Sequence, residues 1–397
     1  MFRRYTISEI GDIISGATPK TNVLTNFGGE IPWLTPADLS GYTEKYISHG
    51  ARNLTQQGYD SCSTHLIPAG TVLLSSRAPI GYVAIAKNEI CTNQGFKSIV
   101  PKAFVNSEFL YYQLKSLKNT LQNLGSGTTF KELSAKKLAT VQVVIPSLEE
   151  QKSIVSKIEE LFSKLDASVA ELKTAKEKLK VYRQAVLKEA FDGEYPRITL
   201  KEIATPLSGY AFKSKKYSIN GKYVVVKIGN VKPFHFDFSR DFTKTIEVDD
   251  AILSRYLLTR GDCLITMTGS RGKRDYGYVV MVENQKNYLL NQRVAALRFN
   301  LSVALPKFFE YYLSSPQYRN QFFAYETGNV GQGNVGIKAL TEPEVICPPI
   351  KIQEEIIQKI EFRLSLCDSI EQTIDTSLQQ ADGLRQSILK QAFEGRI

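Results

Sequence analysis

A chain of 397 residues exceeds what one compact core holds, so two or three domains are expected. Hydrophobic content of 43% and charged content of 23% are ordinary for a globular protein. No apolar run nears the roughly 20 residues needed to span a bilayer. The five cysteines show no C-x-x-C pair and there are three histidines, which argues against a disulfide framework or a metal site and for a reduced, cytoplasmic setting.

In chain order, residues 1–147 form a first block with 14 Lys and Arg against 9 Asp and Glu. The string VLLSSRAPIGYVAIA at 72–86 has the β-branched and aromatic content of strands, and SEFLYYQLKSL at 107–117 that of a short helix. Residues 148–195 are nearly neutral, 9 against 10, and predict one long helix. Apolar residues recur at 3-4 spacing through Ile154, Ile158, Leu161, Leu165, Leu172, Leu179 and Val186, the period of a coiled-coil seam. Residues 196–349 form a second basic block, 21 against 13, with strand-like CLITMTGS and YGYVVMV at 263–282 and a short helix PKFFEYYLSSP at 306–316. Residues 350–397, 6 against 8, predict a second long helix with a weaker seam at Ile356, Ile360, Ile370, Ile374, Leu384 and Ile388. Gly383 inside it costs about 1 kcal/mol relative to Ala. Proline precedes each helix and glycine follows it, the expected start and stop signals.

The second half repeats the first. RQAVLKEAFDG at 183–193 and RQSILKQAFEG at 385–395 share seven of eleven residues at an offset of 202, which also aligns Pro146 with Pro348 and Gln151 with Gln353. YTISEIGDIISG at 5–16 parallels ITLKEIATPLSG at 198–209, and Asn93-Gln94 parallels Asn291-Gln292. The basic excess in two separated blocks suits a polyanion that touches both.

Catalytic signatures are missing. Cys347-Pro348-Pro349-Ile350 lacks the amide and the aromatic of a methyltransferase motif and reads as a turn opening a helix. Gly331 to Gly336 matches G-x-G-x-x-G but sits in a polar stretch, where a flexible loop is expected instead of a cofactor site. No phosphate-loop signature occurs.

Two features together carry a resemblance. One is Val144-Ile145-Pro146-Ser147-Leu148-Glu149-Glu150-Gln151-Lys152-Ser153-Ile154-Val155 at the start of a long helix; the other is its return about 200 residues later, each helix closing on Leu-Lys-x-Ala-Phe-x-Gly. The chain closely resembles the specificity subunits of type I restriction–modification enzymes, the HsdS family, over essentially its whole length. The second copy departs in one place, with Ile352 where the first has Glu150.

The resemblance implies a mixed α+β fold. Two α/β target-recognition domains, 1–147 and 196–349, would be separated by a central spacer helix, 148–195, and a C-terminal one, 350–397. The helices would pair as an antiparallel coiled coil with a pseudo-two-fold internal repeat. It further implies a non-catalytic subunit that reads both halves of a bipartite, asymmetric duplex DNA target. Two modification (methyltransferase) subunits and the restriction subunits would carry S-adenosylmethionine, ATP and Mg²⁺, leaving no cofactor, metal or membrane contact to this chain. The alternatives are a protein-assembly scaffold and the detached recognition half of a fused restriction–methyltransferase.

Base reading needs Arg or Lys for guanine and Asn or Gln for adenine, and phosphates need cations, hydroxyls or backbone N–H groups. Polar strings beside glycine supply the candidates. In the first block these are Ser75, Ser76, Arg77, Asn93, Gln94, Lys97, Thr128, Thr129 and Lys131. In the second they are Thr268, Ser270, Arg271, Lys273, Arg274, Asn291, Gln292, Arg293, Gln332, Asn334 and Lys338.

Overall fold

The computed structural model describes residues 3–397 except 128–130, 219, 240–243, 246–247, 285 and 329–330. Two long helices, Leu148–Ala190 and Ile350–Phe393, dominate it. The chain divides into two compact units, Met1–Leu172 with Thr376–Ile397, and Lys173–Asp375. The unit boundaries therefore fall inside the long helices, and each unit takes a piece of both. The long helices fill the expected blocks 148–195 and 350–397, and the units share them because helix segments far apart in sequence pack together.

In the first unit a five-stranded sheet runs Gly11–Ser15, Lys97–Pro101, Val72–Leu74, Val83–Ala86, Tyr46–Ile47. Its pairs are antiparallel except the last. Arg3–Thr6 pairs separately with Gln142–Ile145, just before the first long helix. The second unit repeats the plan. Ala204–Ser208, Val294–Phe299, Cys263–Thr266 and Val279–Met281 form its sheet in the equivalent order, and Arg197–Thr199 pairs with Glu344–Ile346. It adds a four-stranded sheet of Tyr217–Ser218, Lys244–Thr245, Tyr223–Val226 and Tyr288–Leu290.

Each long helix is seated on its domain by the same buried amide. Gln151 accepts from Asn106 N (2.7 Å) and donates to Phe104 O and Pro146 O (both 2.9 Å). Gln353 accepts from Leu305 N (2.8 Å) and donates to Val303 O (2.8 Å) and Pro348 O (2.7 Å). The departure at Ile352 is local. Glu150 closes a capping box on Ser147, with Ser147 N and Oγ donating to its carboxylate at 3.0 and 2.9 Å. The second helix starts after Pro348-Pro349 instead, a pre-set backbone, and Ile352 packs on the core.

The helix ends are equally alike. Leu389 and Ala392 lie in one core cluster with Ile7, Ile10 and Phe109 in the first unit, and Phe393 meets Phe109 edge-on at 5.2 Å. In the second unit Leu187 and Phe191 lie in the core with Leu200, Ile203 and Phe308, and Phe191 meets Phe308 edge-on at 5.5 Å. The chain's C-terminal helix thus ends in the core of the domain that begins at Arg3.

The helices run antiparallel in each unit. In the second, Lys176 pairs with Asp375 (2.6 Å), Arg183 with Asp368 (2.7 Å) and Glu189 with Arg363 (2.8 Å). In the first, Asp166 pairs with Arg385, whose guanidinium lies 5.1 Å from the Phe162 ring centre.

The seam is corrected in phase. Ile360, Cys367, Ile374, Ala381 and Ile388 are buried at strict seven-residue steps, whereas Ile370 and Leu384 are each 50% exposed. The partly buried companions include Glu371 and Arg385, each one residue later than the expected Ile370 and Leu384, while Arg363 and Leu364, and Ser377 and Leu378, are partly buried alike. Along the first helix Leu165, Leu172 and Leu179 are half-buried and Val186 buried, with companions Phe162, Val169, Lys176 and Arg183. Leu161 is half-buried too, whereas Ser168 and Tyr182 are exposed. Charged companions win because they find opposite charges across the helix pair, so their long stems lie over the seam while their heads stay wet. Ile154 and Ile158 lie in the first unit's core cluster together with Leu389 and Ala392 of the other helix, and Ile356 lies in the second unit's with Leu187 and Phe191.

No described helix is long and apolar enough to cross a membrane.

Candidate nucleic-acid interface

In the first unit Val72–Leu74 runs into Ser75, whose buried hydroxyl closes a loop: it donates to Pro79 O (2.7 Å) and accepts from Tyr82 N (2.8 Å). Ser76, also buried, ties that loop to two others. Its N–H and Oγ donate to Gly95 O (2.7 and 3.0 Å), and Leu133 N donates to Ser76 O (2.8 Å). The loops at 75–81 and 93–96 and the segment at 131–133 are thereby joined.

The second unit builds the same junction from different residues. Thr266 replaces Ser75, with its Oγ1 accepting from Tyr278 N at 3.0 Å. Met267 replaces Ser76, its N–H donating to Arg293 O (3.0 Å) and its carbonyl accepting from Val335 N (2.9 Å). Thr268 then pairs with Asn334 across a short antiparallel ladder, and Arg271 Nη1 donates to Gly328 O at 2.6 Å.

Three sequence candidates are corrected. Ser75, Ser76 and Lys97 are 0%, 0% and 8% exposed. The two hydroxyls are spent inside the junction. Lys97 Nζ lies 3.4 Å from Gln94 O and Phe96 O and 3.7 Å from Glu132; burial, and the nearby Arg77, pull its pKa below the usual lysine value despite Glu132. A lysine so placed is a strut, not a phosphate contact. The G-x-G-x-x-G string is corrected too: Gly333–Val335 is a strand followed by a single helical turn, so it is neither a free loop nor a cofactor loop. Thr128 and Thr129 lie outside the described residues.

The other candidates gather at the junctions. Arg77 is half-buried at the rim with Glu132 at 3.7 Å, and Lys131 is exposed beside it. Asn93 uses Oδ1 on Gly95 N (2.9 Å), and the exposed Gln94 accepts from the Thr18 hydroxyl. In the second unit Arg271, Lys273, Arg274, Gln292, Arg293 and Gln332 are exposed; Ser270 and Asn291 are half-buried. Lys273 and Arg293 form no ion pair or side-chain hydrogen bond among the described residues. The Ser270 side chain and its N–H, the latter donating to Asp275 at 2.7 Å, hold that carboxyl below its ordinary pKa. Lys338 stands outside this bonded set, 3.9 Å from Glu342.

Sequence reading missed a fourth loop in each unit. Ala17 N donates to Thr92 O (3.0 Å); Tyr210 N donates to Leu290 O (2.9 Å) and its carbonyl accepts from Gln292 N (3.1 Å). The preceding glycines make the approach possible, since a Cβ on Gly16 would lie 2.0 Å from Thr92 O and one on Gly209 2.0 Å from Asn291 O. These loops bring exposed Lys20, and exposed Lys213, Lys215, Lys216 and Tyr210. The signal was present: the repeated Ser-Gly at 15–16 and 208–209, with a lysine run after the second.

Among the described residues no cluster of three or more His, Cys, Asp or Glu could hold a metal ion. The arrangement offers cations, amides and backbone donors on a rigid hydrogen-bonded platform, which suits recognition of an anionic polymer.

The comparisons agree with this geometry. The family model described as "Type I restriction modification DNA specificity domain" matches residues 2–178 and again 193–380. The chain is 48% identical over 152 residues to the MjaIX specificity subunit of Methanocaldococcus jannaschii, a match spanning 38% of this chain and 35% of that one. It is 24% identical over 425 residues to the EcoBI specificity subunit of Escherichia coli, spanning 99% and 86%. In fold it resembles the HsdS subunit from Thermoanaerobacter tengcongensis (TM-score 0.61, 18% identity, 100% and 97% covered). It also resembles a chain from a type I R-M system (TM-score 0.68, 19% identity, 100% and 98% covered). With the family domain matched twice over nearly its whole length, this chain belongs to the type I restriction–modification DNA specificity family.

Proposed function

We propose that each unit's loop junction reads one half of a bipartite, asymmetric duplex DNA target and that the chain itself carries out no bond-making or bond-breaking step. The observation that carries this reading is the repeated junction: two sequences that differ at most positions build the same hydrogen-bonded platform and crown it with different polar side chains. A scaffold with interchangeable readers is what two unlike half-sites require. Arg293 and Lys273, exposed and with no ion pair or side-chain hydrogen bond among the described residues, are the leading base- and phosphate-contacting residues of the second unit.

Methylation, translocation and cleavage belong in this reading to partners. Two modification subunits would supply S-adenosylmethionine and the adenine-methylating site, and restriction subunits would use ATP and Mg²⁺. Support for docking comes from Phe362, Leu366 and Ile370, spaced by four residues on one helix face and 66%, 49% and 50% exposed. Apolar side chains so aligned need a covering surface.

Titration of labelled duplexes with the chain assembled on its modification subunits tests the reading. Log affinity should fall linearly with log salt. Arg293→Ala should cost about 1–3 kcal/mol of discrimination in one half-site, and Lys273→Ala should weaken all sequences alike and lower the salt slope by about one. Salt-independent binding, or binding without sequence preference, would leave the protein-assembly scaffold as the better account.

A further inference from the structure

The loop at 270–277 carries Ser270, Arg271, Lys273 and Arg274. Arg274 has φ +53, a left-handed conformation that costs energy for any residue with a Cβ, and Gly277 has φ +69. Two bonds within the loop, Ser270 N to Asp275 (2.7 Å) and Lys273 N to Ser270 O (3.2 Å), are joined by support from outside it.

Arg319, on the helix Pro316–Ala324, lies behind it. Its Nη1 donates to Gly277 O (2.7 Å), and its Nη2 donates to Arg274 O (2.9 Å) and Tyr276 O (3.1 Å). One planar fork thus satisfies three carbonyls of a single turn, which a point-charge ammonium does less well. The guanidinium also lies 5.1 Å from the Phe323 ring centre and 5.9 Å from that of Tyr278. It forms no ion pair among the described residues. Its charge is met by carbonyl dipoles and ring faces, and burial, with Arg274 nearby, pulls its pKa below the usual arginine value. Gly277 is part of the fit: a Cβ there would lie 3.3 Å from Arg319 Nη1 and 3.0 Å from the Phe322 ring. The same helix holds the outer face of the loop, where Arg274 donates to Asn320 Oδ1 (2.9 Å) and stacks 5.2 Å from Phe323.

The first unit has a weaker version. Gln122, on the corresponding helix Lys118–Leu124, donates through Nε2 to Ile80 O at 3.2 Å, in the loop equivalent to 270–277. A side chain of that helix therefore grips the reading loop in both halves, with three bonds in one and one in the other.

We propose that Arg319 is a positioning residue for target reading: it sets the conformation of the 270–277 loop, and hence which base edges Arg271 and Arg274 meet, without touching DNA itself. The inference rests on the DNA-reading function proposed above.

The test uses the full chain with its modification subunits and duplexes altered in one half-site at a time. Arg319→Met should lose about tenfold in preference within the second half-site, the scale of one good base contact. Preference within the other half-site and the salt slope should stay at the parent values, and amide exchange across 270–277 should quicken. Arg319→Lys, which keeps donors but not the planar fork, should recover part of the preference. Should Arg319→Met fail to fold, Arg319→Ala, which likewise removes every donor, carries the same comparison. A salt slope lowered by about one would make Arg319 a phosphate contact and overturn the proposal. Equal loss at both half-sites, or none at either, would also overturn it. A parent protein without half-site preference would overturn the DNA-reading function along with it, whereas a parent with preference and an indifferent Arg319→Met overturns this inference alone.

Discussion

Gln151 and Gln353 stand at equivalent places in the two units, each fully buried, and each spends its amide on one backbone N–H and two backbone carbonyls of the domain it adjoins. A helix that merely rested on a domain could slide. One anchored by three directional bonds in a dry site has a single register, because every alternative leaves buried polar groups unpaired.

Removing that amide should therefore be expensive. Gln151→Ala leaves Asn106 N–H, Phe104 O and Pro146 O without their partner, and a loss of about 2–4 kcal/mol is expected. Gln151→Glu loses both donors and should fare no better. Urea unfolding of the variants measures it; a change below about 0.5 kcal/mol would mean that water replaces the amide.

The helix pair separates buried from exposed isoleucines. Ile374 is 5% exposed and Ile370 50%. Ile374→Asp should destabilise by several kcal/mol, since an unpaired carboxylate would be forced into the seam. Ile370→Asp should change the stability of the free chain by less than about 0.5 kcal/mol and instead weaken assembly with the modification subunit. Melting curves and co-purification of both variants, run side by side, tell the two roles apart; similar melting losses would return Ile370 to the seam.

Lys45, just before the strand Tyr46–Ile47, reaches two helices. It donates to Glu108 (2.5 Å) and to Glu159, while the hydroxyl of Tyr46 donates to Glu108 at 2.7 Å. Burial pushes the Glu108 carboxyl up, but the Lys45 and Tyr46 bonds outweigh it and hold the pKa below its ordinary value; burial opposes the charge on Lys45, and the two glutamates hold its pKa above the usual one. The Glu108 contribution is thus present above its unfolded pKa of about 4.3 and lost as pH falls through the lower folded value. The Lys45 contribution is present below about pH 10.4 and lost as pH rises through the raised folded value. Lys45→Met should cost about 1–2 kcal/mol at pH 7, and its deficit should shrink below about pH 4. Urea midpoints at pH 7 and pH 3.5 check this. A deficit indifferent to pH would assign the effect to the lysine stem packed near the Tyr46 and Tyr112 rings.

Gly383 sits mid-helix, and a Cβ added there would meet nothing within 4 Å. Gly383→Ala should stabilise the chain by about 1 kcal/mol, the helix-propensity difference alone. A denaturation midpoint that falls instead would mean that the helix pair needs a flexible point there.

The repeat, the two long helices and the order of blocks were legible because they are periodic. An offset of 202 and a heptad spacing survive without knowledge of any contact. The phase of the seam was not legible. Ile370 and Glu371 both satisfy a 3-4 period after Cys367, and apolarity favours Ile370; only the arrival of Lys176 and Arg183 across the pair, 3.6 and 3.0 Å from Glu371, decides for the glutamate. The reading loops divide in the same way. Polar strings beside glycine identified the three loops of each junction, yet Ser75, Ser76 and Arg77 look alike as candidates in a linear string. Tertiary structure sends the first two into the junction, where their hydroxyls close bonds that no solvent could reach, and leaves Arg77 at the rim. It also puts Arg319, some forty residues from Arg274 and Gly277, behind their loop. Sequence determined which local segments could form and that they came in two copies, because those properties are set by neighbours along the chain. Which side chains meet a ligand and which support the ones that do was decided by packing, because burial and hydrogen-bond satisfaction belong to the assembled domain and to no segment of it.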